Sequence, residues 1–140
     1  MTKVIFKGFG FPILILKPKY LETPGGKVLD VDYTKLEILA FKALIYKSGR
    51  YTGAEIKFIR NHMEYTQKTF ADLLPVNRSS VTNWESKNLK QTGMDITTEL
   101  IIKIEMVKFL KLDLNKAYDL LKKSTRSKVS AEMIEIKNVV

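Results

Sequence analysis

Residues 67–86, QKTFADLLPVNRSSVTNWES, constrain the fold of this chain more than any other segment. Thr66 and Asn77 stand where helices start, because their side chains can accept from the free N–H groups of a first turn. Pro75-Val76 reads as a tight turn between the two helices. Phe70, Leu74, Val76, Val81 and Trp84 are the apolar positions, and Ala71 is small where the two axes must approach. At helical spacing Val81 and Trp84 share one side of the second helix, while Arg78, Ser79, Thr82, Asn83 and Ser86 fan across the other. An ordinary solvated helix would carry Glu and Lys there; these are mostly short hydrogen-bonding groups. A helical pair of this kind can lay its second helix in the DNA major groove, where Arg pairs with guanine and Asn with adenine.

Together with the preceding helix, residues 53–90 resemble the XRE/Cro-type helix-turn-helix family of phage repressors. The likeness is carried by Arg60, Thr66, Gln67, Ala71, Leu74, Val76, Arg78, Ser79, Val81, Trp84 and Glu85. The resemblance implies a lambda-repressor-like domain of about five helices. It implies DNA contacts from Gln67, Arg78, Ser79, Ser80, Thr82 and Asn83, with Gln67 meeting a phosphate at the start of its helix. It also implies a structural pair, Arg60 with Glu85. Lys87 and Lys90 follow the second helix as candidate phosphate contacts. Pro75 departs from the family, which favours glycine there; the proline ring disfavours positive φ, so a different turn shape is expected.

Upstream, Thr52 and Glu55 have capping-box spacing for a helix to about residue 63, with Ile56, Ile59 and Met63 facing inward. Asp32 caps a helix over 33–47, and Gly49 lies past its end. Residues 11–16 form an apolar run and 27–33 alternate, with turn chemistry at Thr23-Pro24-Gly25-Gly26, so the two runs are expected to pair as a hairpin. Downstream, helices are expected over 96–111 and, capped by Asp113, to about residue 123. Residues 124–130 read as a polar linker and 133–140 as a terminal strand or frayed tail. The fold class is mainly α with a small N-terminal β-hairpin. The expected divisions are 1–50 (hairpin and connecting helix), 51–124 (DNA-binding domain) and 125–140 (tail).

The chain carries 24 Lys and Arg against 15 Asp and Glu, a net charge of +9, so an acidic partner is expected. Residues 1–52 are its most basic third, with nine basic and four acidic side chains. There is no cysteine, which excludes thiol catalysis and Cys-based metal sites and agrees with a cytoplasmic setting. One histidine, His62, expected exposed at a helix end, cannot make a multi-His site. Gly8-Phe9-Gly10 lacks a third glycine at Ile13, and Gly25-Gly26-Lys27 is followed by Val28 rather than Ser or Thr, so neither nucleotide loop is present. Asp30 and Asp32 have no further carboxylates beside them. No cofactor or metal is expected, and no membrane span. The apolar run near the N-terminus is broken by Gly10 and Pro12 and closed by Lys17-Pro18-Lys19, unlike a leader peptide.

Eight of the eleven residues from 100 to 110 are apolar, more than one buried stripe requires. This excess, including Ile102, Met106 and Phe109, is expected to serve a homodimer, or else to lie under the N-terminal elements. The functional expectation is a non-enzymatic, sequence-specific DNA-binding transcriptional regulator, a dimeric repressor. The alternative is an antitoxin. The layout of a β-rich N-terminal region, a connecting helix and an XRE-type domain resembles the MqsA type, without that family's zinc cysteines. Such a protein would bind a protein toxin through the N-terminal region and its own promoter through the helix-turn-helix.

Overall fold

The computed structural model describes residues 3–47, 49–126 and 133–136. Four strands come first, β1 (Lys3–Phe6), β2 (Ile13–Leu16), β3 (Lys19–Thr23) and β4 (Gly26–Asp30). Six helices follow: α1 (Tyr33–Ile45), α2 (Gly53–His62), α3 (Gln67–Leu73), α4 (Arg78–Ser86), α5 (Ile96–Phe109) and α6 (Leu114–Arg126). A last strand, β5 (Ile134–Ile136), closes the series. The chain is therefore mixed α/β, with helices predominating.

The expected pairing of 11–16 with 27–33 does not form. β2 instead pairs antiparallel with β1 and parallel with β5, while β3 and β4 make their own hairpin. Pro24-Gly25 is the loop of that hairpin, and the Thr23 hydroxyl donates to the Gly26 carbonyl at 2.6 Å across it. Local closure costs less chain entropy than spanning the intervening residues. Gly10, at φ +97°, turns β1 into β2 in the same way. Leu29 and Val31 do lean on the core, as the alternation predicts.

The helical boundaries follow their caps. Asp32 accepts from the Lys35 N–H, Thr52 and Glu55 close a full capping box, and Thr66 does so reciprocally with Thr69. Asp95 and Asp113 cap α5 and α6. Asn77 occupies the cap position of α4, but its side chain makes no capping bond.

One hydrophobic core joins the β1-β2-β5 sheet to the helices. Ile13 and Ile15 lie in this core with Ile134 and Ile136 of β5, which meets α1, and the rings of Phe9 and Phe11 lie against Phe58 of α2, tilted and edge-on, with ring centres 5.2 and 5.3 Å away. His62 is not exposed. Its side chain is 12% accessible, its ring lies 4.4 Å from that of Phe41, and Nδ1 is 2.7 Å from a Glu37 carboxylate oxygen. α1 packs against that end of α2 and covers it. Ile102 and Met106 are likewise inside this core, which corrects their expected place in a dimer interface. Of the three, only Phe109 reaches the surface, and its ring also rests on Phe41. No helix among the described residues is long and apolar enough to cross a membrane.

Candidate nucleic-acid interface

Two helices and an ion pair hold α4 in place. At its N-terminal end, α3 packs across it, with Phe70, Ala71 and Leu74 buried against Val81 and Trp84. The turn between them is closed by the Val76 N–H donating to the Ala71 carbonyl at 3.0 Å. Pro75 sits in this turn at φ +27°. The buried Leu74 and the half-buried Val76 stand on either side of it.

At its C-terminal end, α4 abuts the start of α2. Gly53 makes this approach possible. A Cβ on Gly53 would fall 2.9 Å from the Asn88 nitrogen and 3.0 Å from the Glu85 carbonyl, and would collide with the Trp84 carbonyl. The free N–H groups of Gly53 and Ala54 are then satisfied by the carbonyls of Lys90 and Asn88, at 3.2 and 2.8 Å.

Between these ends lies the expected ion pair. Arg60 Nε is 2.6 Å from Glu85 Oε2, and Nη2 is 3.0 Å from Oε1, a bidentate contact with both side chains buried. Arg60 Nη1 also donates to the Tyr65 carbonyl. Gln67 joins the same network. Its amide nitrogen donates to Glu85 Oε1 at 3.2 Å, and its amide oxygen accepts from the Thr82 hydroxyl at 3.0 Å. The Gln67 side chain, expected at a phosphate, is thus spent on orienting α4.

With Val81, Trp84 and Glu85 held inward, Arg78, Ser79, Thr82, Asn83 and Ser86 are exposed together and line an open depression of about 520 Å³. Ser80 is half-buried and is not part of this lining. The hydroxyls of Thr82 and Ser86 bond to carbonyls of their own helix, at Arg78 and Asn83. Among the described residues, the Arg78 guanidinium and the Asn83 amide have no intramolecular hydrogen-bond partner. Lys87, at the C-cap of α4, and Lys90 are exposed beyond the depression. Glu85, the acid on this helix, is neutralised by Arg60, so the exposed face is cationic.

A second set of charges lies behind α2, where the sequence reading placed none. Lys47 Nζ bridges both Glu55 carboxylate oxygens at 2.6 and 2.7 Å, so Glu55 is a buried ion-pair partner as well as a member of the capping box. Glu99 accepts from the Tyr51 N–H and faces Arg50 at 3.4 Å. Lys103 is fully buried, donates to the Lys47 carbonyl and lies 5.4 Å over the Tyr51 ring. Burial pulls the Lys103 ammonium down to about 8, although Glu99 opposes the shift. Burial also raises the Glu99 carboxyl and, more strongly, the Tyr51 phenol. The available signal was Glu99 and Lys103 one turn apart, on the same stripe as Met106.

Compared with protein-family profiles, with curated proteins and with solved structures, the chain matches none.

Proposed function

We propose that the protein is a sequence-specific DNA-binding transcriptional regulator of the lambda-repressor-like helix-turn-helix type. In this reading α4 lies in the major groove, and the protein binds as a homodimer to paired half-sites. The observation that carries the proposal is the exposed face of α4. It presents a guanidinium and an amide with no intramolecular partner among the described residues, on a helix whose other side is anchored by a buried ion pair. Arg78 and Asn83 are the base readers, Ser79 assists, and Lys87 and Lys90 meet phosphates. Gln67 acts by holding α4, and Phe109 is the candidate dimer contact. The net charge of +9 supplies the long-range attraction.

The test is selection of a preferred duplex from random sequence, followed by titration of variants on that duplex and on random DNA. Arg78→Ala should lose about 1–3 kcal/mol on the selected site and little on random DNA. Lys90→Ala should weaken both alike and reduce the salt slope by about one. Failure to enrich any sequence would reject the reading, and equal losses on both DNAs would make Arg78 a phosphate contact.

A further inference from the structure

One face of the β1-β2-β5 sheet lies in the core, while the other, which carries Ile5, Leu14 and Leu16 together with Lys3 and Glu135, is only partly covered by the described chain. The register puts Ile13 and Ile15 in the core and turns Ile5, Leu14 and Leu16 outward. A strand apolar on both faces is ordinarily covered on both. β1 is also an edge. It pairs with β2, and its other side meets no strand among the described residues. Where β1 ends, a groove of about 390 Å³ opens between Ile5, Lys7, the 10–12 turn, Leu89 and Met133. Ile5 is 49% exposed and Leu89 60%. Among the described residues no acidic side chain lines the groove; Ile5 and Lys7 line its β1 side, and Lys3 lies further along β1 on the same face as Ile5.

We propose that this edge and groove bind an extended acidic segment of a partner protein. The segment adds a strand to β1, seats one apolar side chain in the groove and sets carboxylates against Lys3 and Lys7. Every second residue of the segment faces this row, so the matching pattern is acid, apolar, acid at alternate positions. The charge argues against a second copy. Antiparallel self-pairing about Ile5 would put Lys3 of one copy opposite Lys7 of the other, and like charges directly opposite destabilise a ladder. None of the proposed DNA contacts lines the groove, so this inference stands apart from the DNA reading.

The test uses the full chain and a fluorescein-labelled peptide, Thr-Glu-Thr-Leu-Thr-Glu-Thr, followed by fluorescence anisotropy without DNA. Saturable binding is expected, weakened by added salt and absent for the peptide with Lys in place of Glu. Lys7→Glu and Ile5→Thr should each weaken it about tenfold or more. Ile5→Thr keeps a β-branched residue in the strand, and Leu89→Ser, in a loop, repeats the test away from the sheet. Thermal melts confirm that each variant is folded. Equal binding of the acidic and basic peptides, or wild-type binding by all three variants, would overturn the proposal. So would a wild-type dimer in sedimentation that Ile5→Thr splits, or loss of duplex binding in these variants with the peptide still bound.

Discussion

Arg60 and Glu85 show how a single pair can decide the presentation of a helix. Both are buried and hydrogen-bonded in two places, so neither can be removed without stranding the other charge. Glu85→Ala should cost about 3–5 kcal/mol in urea unfolding, far above the value for an exposed pair. Arg60→Lys should recover little of an Arg60→Ala loss, because an ammonium cannot span both oxygens. A double-mutant cycle with coupling near zero would contradict this. Lys103 poses the opposite case. Its folded pKa, about 8, lies below the ordinary lysine value, so the folded state resists its protonation. The associated stability is present above the ordinary value and is lost as pH falls through about 8. Unfolding free energy should therefore rise between about pH 8 and 10.5. Lys103→Met should flatten that rise and add on the order of 1 kcal/mol at pH 7, where the charged form is buried. A variant with the wild-type pH slope would show that Lys103 is not its source. Glu99 has the reverse sign: its raised pKa favours the folded state in acid and withdraws that stability as the carboxyl ionises.

At the scale of elements, the joints between helices matter more than the helices. Gly→Ala within a helix ordinarily gains about 0.5–1 kcal/mol. At Gly53 the new methyl would meet backbone atoms of α4 and of Asn88 beyond it, which cannot swing aside as a side chain does. Gly53→Ala should instead destabilise by about 1–3 kcal/mol and weaken DNA binding by moving α4 away from α2. Stability equal to or above wild type would show that the joint yields.

At the scale of the whole molecule, the two halves share one core, and the elements between them are tied by charge. The Lys47–Glu55 pair joins the end of α1 to the start of α2, while Arg50 and Tyr51 bind Glu99 of α5. β5 returns the last described residues to the N-terminal sheet. The sheet is thus bonded to the helical body from both ends of the chain. Dimerisation belongs to this scale as well. Ile102 and Met106 are inside, so Phe109 carries the prediction. Phe109→Glu should leave a folded chain that sediments as a monomer and binds the selected duplex much more weakly. A wild-type chain that is monomeric at micromolar concentration and on DNA would remove the dimer from the proposal.

The helix starts and the outward face of α4 were legible in the sequence, because both are local. A cap needs only its own first turn, and helical spacing sorts Val81 and Trp84 from Arg78 and Asn83 without reference to any neighbour. The Arg60–Glu85 pair was legible through resemblance, and its two-point contact followed from the planar guanidinium. Strand pairing escaped the sequence, since the apolar run at 11–16 fits several partners and only closure of the 23–26 turn with its own flanking strands excludes one. The need for glycine at residue 53, the commitment of Gln67 to α4 and the burial of Lys103 were decided by tertiary structure alone. Each depends on which backbone or charge arrives from a distant part of the chain, and a residue's own neighbours in sequence carry no record of that.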